Sequence, residues 1–176
     1  EKIVGMNRIA WRYDPVLLTG EYTIERHLDT FSRMAEKLAP HVDRCIFSFV
    51  EMYKKLEVNM PELKPLSTEE KQAIAKGMGD TAAKYGIWLQ TCGTNGDYSQ
   101  YGIHSSGCAT LDILGKANGC SFRAIKHRGL RDGCHCIESR DIGAYDTCLN
   151  GCKYCYANKS PQKARENFIL HDPDSP

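Results

Sequence analysis

The first two-thirds of the chain alternates short strand-like segments with amphipathic helical segments, and this order limits the possible folds more than any other feature. The predicted strands and helices, in chain order, lie at 8–13, 23–38, 45–50, 67–84, 87–91 and 107–118. Because a helix between two strands returns the chain for parallel pairing, this order predicts βαβ units and a parallel sheet. Right-handed crossovers place the helices on one face, as in a (β/α) barrel, or on both faces, as in an open sheet. Since three such units cannot close an eight-stranded barrel, we expect an α/β fold with a partial or permuted barrel.

Local signals set the limits of individual elements. Asp14 followed by Pro15 is expected to end the first strand. Ser67 begins a capping-box pattern at the start of the second long helix. Two glycines, Gly77 and Gly79, are expected to weaken the interior of that helix.

The alternation ends near Gly119, and the irregular stretch that follows is rich in cysteine. We therefore expect two parts: an α/β portion over 1–118, and a Cys-rich iron–sulfur segment over 119–176 that packs on it. The chain has nine cysteines, and all except Cys45 fall between Cys92 and Cys155. An odd number, without an export signal at the start, disfavours a secreted disulfide framework. Clustered thiols in a reducing compartment are more often metal ligands, and we expect a cytoplasmic protein.

The strongest chemical signal is the triad Cys148, Cys152 and Cys155, which has the spacing C-x3-C-x2-C. Three thiolates on one tight loop can bind three irons of a [4Fe–4S] cluster and leave the fourth iron open. Zinc accepts the same ligands and is the alternative metal. Ser160 followed by Pro161 predicts a helix start close to this loop.

The triad, with Tyr154 before its last cysteine and Tyr-Ala after it, resembles the cluster motif of radical S-adenosylmethionine enzymes. It is particularly similar to the version found near spore photoproduct lyase. The resemblance implies that the open iron binds S-adenosylmethionine, that an electron donor reduces the cluster, and that Tyr154 contacts the cofactor. In those enzymes most of the barrel follows the triad, whereas here only a short segment does.

The rest of the chain resembles an uncharacterised bacterial family known only as a domain of unknown function. The segments that carry the resemblance are 11–15, 48–49, 53–54, 134–136 and 141–145, together with the triad. It implies that this chain corresponds to the C-terminal half or so of the family. The missing N-terminal part of the same protein is then an expected partner.

A second set of thiols, Cys92, Cys108, Cys134 and Cys136, could hold a second closed cluster or a zinc ion. Cys108 is expected to open the third helix. Cys45 and Cys120 are interpreted as structural, although Cys120 could replace Cys108.

The carboxyl end of the first strand carries Arg12 and Asp14, which are the candidate catalytic residues because parallel sheets place their sites at that edge. They could bind an anion and a hydroxyl or amine, or they could form an ion pair that only fixes the loop.

Three functions fit these patterns. The first is a radical-S-adenosylmethionine-like enzyme with a small-molecule or other unknown substrate. The second is an electron-transfer or structural iron–sulfur protein, and the third is a zinc-stabilised binding module. The net charge of +1 gives no general attraction to nucleic acid or membranes. The basic stretch 123–131 is either a solvated loop or an anion site.

Overall fold

The computed structural model describes residues 5, 8–123, 133–139, 142–172 and 174. The chain divides into two compact units. The sheet unit comprises Glu1–Glu51 and Pro65–Ser139, and the triad unit comprises Met52–Lys64 and Arg140–Pro176. The predicted boundary between residues 118 and 119 stays a prediction.

The sheet unit contains four parallel strands that neighbour one another in chain order. They are β1 Trp11–Val16, β2 Arg44–Phe49, β3 Trp88–Thr91 and β4 His104–Ser105. The predicted parallel α/β arrangement is thus confirmed. Strand β4 was not predicted, because two exposed residues carry no alternation of apolar and polar side chains.

Five helices lie in the part of the chain that the structure describes. They are α1 Ile24–Leu38, α2 Lys54–Asn59, α3 Thr68–Tyr85, α4 Leu111–Asn118 and α5 Pro161–Ile169. Helix α3 starts with the predicted capping box, in which the Ser67 and Glu70 side chains each accept a hydrogen bond from the other's backbone N–H. None of these helices combines the length and the apolar character that a membrane span needs.

Strand β1, helix α4 and helix α2 differ from the predictions. Strand β1 continues through Pro15 to Val16. Its pairing with β2 becomes irregular after Tyr13. The strand is still paired at its end, because the Val16 carbonyl accepts a hydrogen bond from the Val50 backbone N–H at 2.9 Å. Helix α4 begins at Leu111, capped by Thr110, so Cys108 precedes it. Helix α2 was missed, because it has only six residues and buries only Leu56.

The two faces of the sheet have different roles. Helices α1 and α3 pack together over a core that includes Phe31, Phe47, Met78 and Leu89, each of which is almost fully buried. Each such side chain contributes about 1.5–3 kcal/mol by leaving water. Side chains alternate between the faces of a strand, so the opposite face carries a different set. That set includes Arg12, Asp14, Ser48, Gln90 and Cys92.

Candidate metal and thiol sites

In the triad unit, Cys148, Cys152 and Cys155 all line one cavity of about 530 Å³. Cys148 and Cys152 are exposed, and Cys155 is half-buried. The Cys155 backbone N–H donates to the Cys152 carbonyl at 3.1 Å, which closes the turn between these two ligand candidates. The three residues that the sequence singled out therefore open onto a common space.

The triad loop is closed at its base by Asp146. The Asp146 N–H donates to the Ala157 carbonyl at 3.0 Å, and its carboxylate accepts from the Lys159 N–H. The Asn167 side chain of α5 donates to the Asp146 carbonyl at 2.9 Å. Asp146 adopts a left-handed φ of 56°, which Asp tolerates better than most residues. These bonds hold the two ends of the loop together at the start of α5.

Helix α2 fixes the middle of the same loop through its backbone carbonyls. The Lys55 ammonium donates to the carbonyls of Cys155, at 3.0 Å, and of Asn158. The Asn59 side chain donates to the Lys153 carbonyl at 2.9 Å. Lys55 and Asn59 lie one helical turn apart and share a face. Sequence reasoning missed both, because the helix that aligns them is too short to show a period.

The triad cavity is positively charged. Four cationic side chains line it, and no acidic side chain does so among the described residues; the cations are Lys55, Lys153, Lys159 and Arg165. The start of α5, capped by Ser160, also lines the cavity and adds the positive end of a helix dipole. An anionic group bound by the three thiols would be stabilised here.

Tyr154 was predicted to contact a cofactor at the triad. It is 38% exposed, and its backbone carbonyl accepts a hydrogen bond from the Tyr53 hydroxyl. The contact of its ring with a cofactor stays a prediction. Asp141, in the segment 141–145 that carries the family resemblance, and most of the basic stretch, residues 124–131, lie outside the described residues.

Of the second set of thiols, Cys108 contacts Cys136 and Cys92 in the sheet unit. The Sγ atoms of Cys108 and Cys136 are 3.1 Å apart, and the Cys108 N–H donates to the Cys136 Sγ at 3.2 Å. Cys92 hydrogen-bonds the Cys108 side chain. Cys134 is half-buried in the same segment as Cys136. His135 separates Cys134 from Cys136 in the sequence, and its Nε2 atom lies 3.2 Å from the Ser105 hydroxyl.

Arg12 joins the thiols to the predicted polar pair. Its guanidinium donates to Asp14, whose other carboxylate oxygen accepts from the Ser48 hydroxyl. Burial lowers the pKa of Arg12, but the hydrogen bonds and negative charge of Asp14 and Cys92 raise it above its usual value. The pair thus fixes the end of β1, and the guanidinium also contacts Cys108.

The two paired thiols differ in acidity. Burial raises the pKa of Cys108, but hydrogen bonds from Cys136 and Arg12, together with the Arg12 charge, outweigh it and lower that pKa. Burial, with the neighbouring Cys108, raises the pKa of Cys136 to about 11. Cys108 is therefore the more acidic thiol of the two.

The other two cysteines have different surroundings. Cys45 is fully buried in β2, and burial raises the pKa of its thiol to about 12. Cys120 is exposed and lines a separate cavity beside α4. Throughout the described ranges, no three or more His, Cys, Asp or Glu side chains are grouped closely enough to hold a metal ion. The ligand roles of the triad and of the second set stay predictions.

These features define a class: an α/β protein with a four-stranded parallel sheet and two separate groups of cysteines. The chain belongs to the family described as Domain of unknown function (DUF1848), whose profile matches residues 1–157. No curated protein and no solved structure matches it.

Proposed function

We propose that this protein binds one [4Fe–4S] cluster on Cys148, Cys152 and Cys155 and uses it in radical-S-adenosylmethionine-like chemistry. The observation that carries the proposal is the cavity that all three cysteines line, with four cationic side chains and no carboxylate among its described lining residues. Thiolates without carboxylates are the donors that iron–sulfur clusters prefer. The surrounding cations suit the negative charge of a thiolate-bound cluster.

The protein's own residues have separable tasks in this proposal. Cys148, Cys152 and Cys155 would hold the cluster, which when bound supplies an electron and an open iron for S-adenosylmethionine. Lys55 and Asn59 keep the loop in one conformation by holding its carbonyls. Such outer contacts commonly determine how precisely ligands are oriented. Tyr154 is the candidate contact for the cofactor.

The strand order and the helix packing of the sheet unit favour a partial or permuted barrel as the scaffold. Its strands follow one another in the order β1-β2-β3-β4 without a reversal, and α1 and α3 pack together on one face. Barrels have this winding, whereas a doubly wound sheet reverses its order and covers both faces. Arg12 and Asp14 lie on the other face, and we propose them as candidates to bind a small-molecule substrate.

We expect the anaerobically reconstituted protein to convert S-adenosylmethionine to 5′-deoxyadenosine when dithionite supplies the electron. Chromatography of the quenched reaction measures the product. The Cys120→Ser variant, which changes an exposed thiol outside the triad, is expected to retain the activity. The Cys152→Ser variant is expected to lose it.

The alternative functions give different results in the same preparation. A bound cluster without any 5′-deoxyadenosine would contradict radical chemistry and favour an electron-transfer or structural iron–sulfur protein. Colourless protein with stoichiometric zinc, prepared without oxygen, would contradict the cluster and favour a zinc-stabilised module.

A further inference from the structure

Cys108 and Cys136 form a closely held pair of thiols in the sheet unit. Their Sγ atoms are 3.1 Å apart, about 1 Å longer than a covalent S–S bond. Cys108 is half-buried, whereas Cys136 is 5% exposed. Cys108 is thus the more exposed residue of the pair.

The backbone around the pair is fixed on both sides. The Ile137 N–H donates to the Ala109 carbonyl at 2.9 Å, which joins the two cysteine segments. Gly107 packs so closely that a Cβ there would lie 2.5 Å from the His135 carbonyl oxygen. The fully buried Gln90 side chain donates to the Gly107 carbonyl at 3.1 Å. These contacts hold the two cysteine segments together, with the sulfurs about 1 Å beyond bonding distance.

We propose that Cys108 and Cys136 are a redox-active cysteine pair that is oxidised to an intramolecular disulfide by a low-molecular-weight disulfide such as oxidised glutathione. This activity is independent of the cluster proposed for the triad. It also replaces, for these two residues, the prediction that they ligate a second metal.

The exchange proceeds in two steps. The Cys108 sulfur, as its thiolate, attacks one sulfur of the glutathione disulfide, whose S–S bond breaks and releases one glutathione thiolate. Cys136 then loses its proton to solvent and attacks the Cys108 sulfur, which releases the second glutathione thiolate. Two electrons pass from the two cysteines to the disulfide, which leaves as two reduced glutathione molecules.

The test uses the whole reduced protein, treated with oxidised glutathione and then with a thiol-blocking reagent. We expect peptide mass spectrometry to find Cys108 linked to Cys136. The Cys136→Ser variant should accumulate glutathione on Cys108 instead. The Cys120→Ser variant, which removes an exposed thiol outside the pair, should form the same link as the unaltered protein.

Two results would overturn the proposal. One is unaltered protein in which Cys108 and Cys136 both remain reduced or pair with other cysteines. The other is a stoichiometric metal ion, bound anaerobically, that is lost from both the Cys108→Ser and the Cys136→Ser variants. The first result needs no variant, so misfolding of a substituted protein cannot obscure it. Neither result depends on whether the triad binds iron.

Discussion

Replacing any one of Cys148, Cys152 and Cys155 with serine is expected to remove the iron that the reconstituted protein otherwise binds, from about four atoms per chain to less than one. Each thiolate holds one iron, and a serine hydroxyl stays protonated at neutral pH and is a poor ligand for it. With only two of the three thiolates left, two of the four irons would have no protein ligand. Iron and acid-labile sulfide assays, with absorbance at roughly 400 nm, measure the loss.

The matched control for these variants is Cys120→Ser. Cys120 is exposed, as Cys148 and Cys152 are, but it lines a different cavity. The Cys120→Ser variant should therefore bind as much iron as the unaltered protein. Full iron content in any of the three triad variants would contradict the assignment of that cysteine as a ligand.

Replacing Gly79 with alanine is expected to lower the free energy of unfolding by about 1–3 kcal/mol. Alanine favours a helix over glycine by roughly 1 kcal/mol, so propensity alone predicts the opposite sign. However, a Cβ at Gly79 would lie 2.3 Å from the Tyr101 carbonyl oxygen and 3.1 Å from the Tyr101 Cβ. The first contact is with backbone that cannot rotate away. Denaturant unfolding followed by circular dichroism measures the change.

Gly77→Ala provides the control within the same helix. Its Cβ would meet only the end of the Leu28 side chain, at 2.6 Å, and that side chain can adopt another rotamer. The gain in helix propensity then offsets the repacking, and we expect a change within about 1 kcal/mol. Equal destabilisation by the two substitutions would show that the contact with Tyr101 does not explain Gly79.

These two glycines illustrate what the sequence could predict about the fold. Helix α3 was predicted from the capping box that begins at Ser67, and both the helix and the cap are confirmed. Gly79 was interpreted only as a weakness in that helix. A side chain does not fit at Gly79 because the fold brings the backbone of Tyr101, from a different segment, against the helix. Local patterns contain no information about such approaches.

The candidate sites were also only partly predictable from the sequence. The triad could be recognised because its three cysteines lie within one short loop. The residues that hold that loop could not, because Lys55 is separated from Cys155 by 100 positions and is brought there by the unpredicted α2. The four cysteines of the second set were grouped only because of their count and their positions along the chain. The sequence could not indicate that the sulfurs of Cys108 and Cys136 would lie 3.1 Å apart.

The most direct test of the central proposal is electron paramagnetic resonance of the dithionite-reduced, reconstituted protein with and without S-adenosylmethionine. A cluster held by only three cysteines has an open iron, and binding of the amino and carboxylate groups of S-adenosylmethionine changes its electronic environment. We predict a [4Fe–4S]⁺ signal that shifts when S-adenosylmethionine is added. A cluster signal that is the same in both samples would contradict the proposed open site.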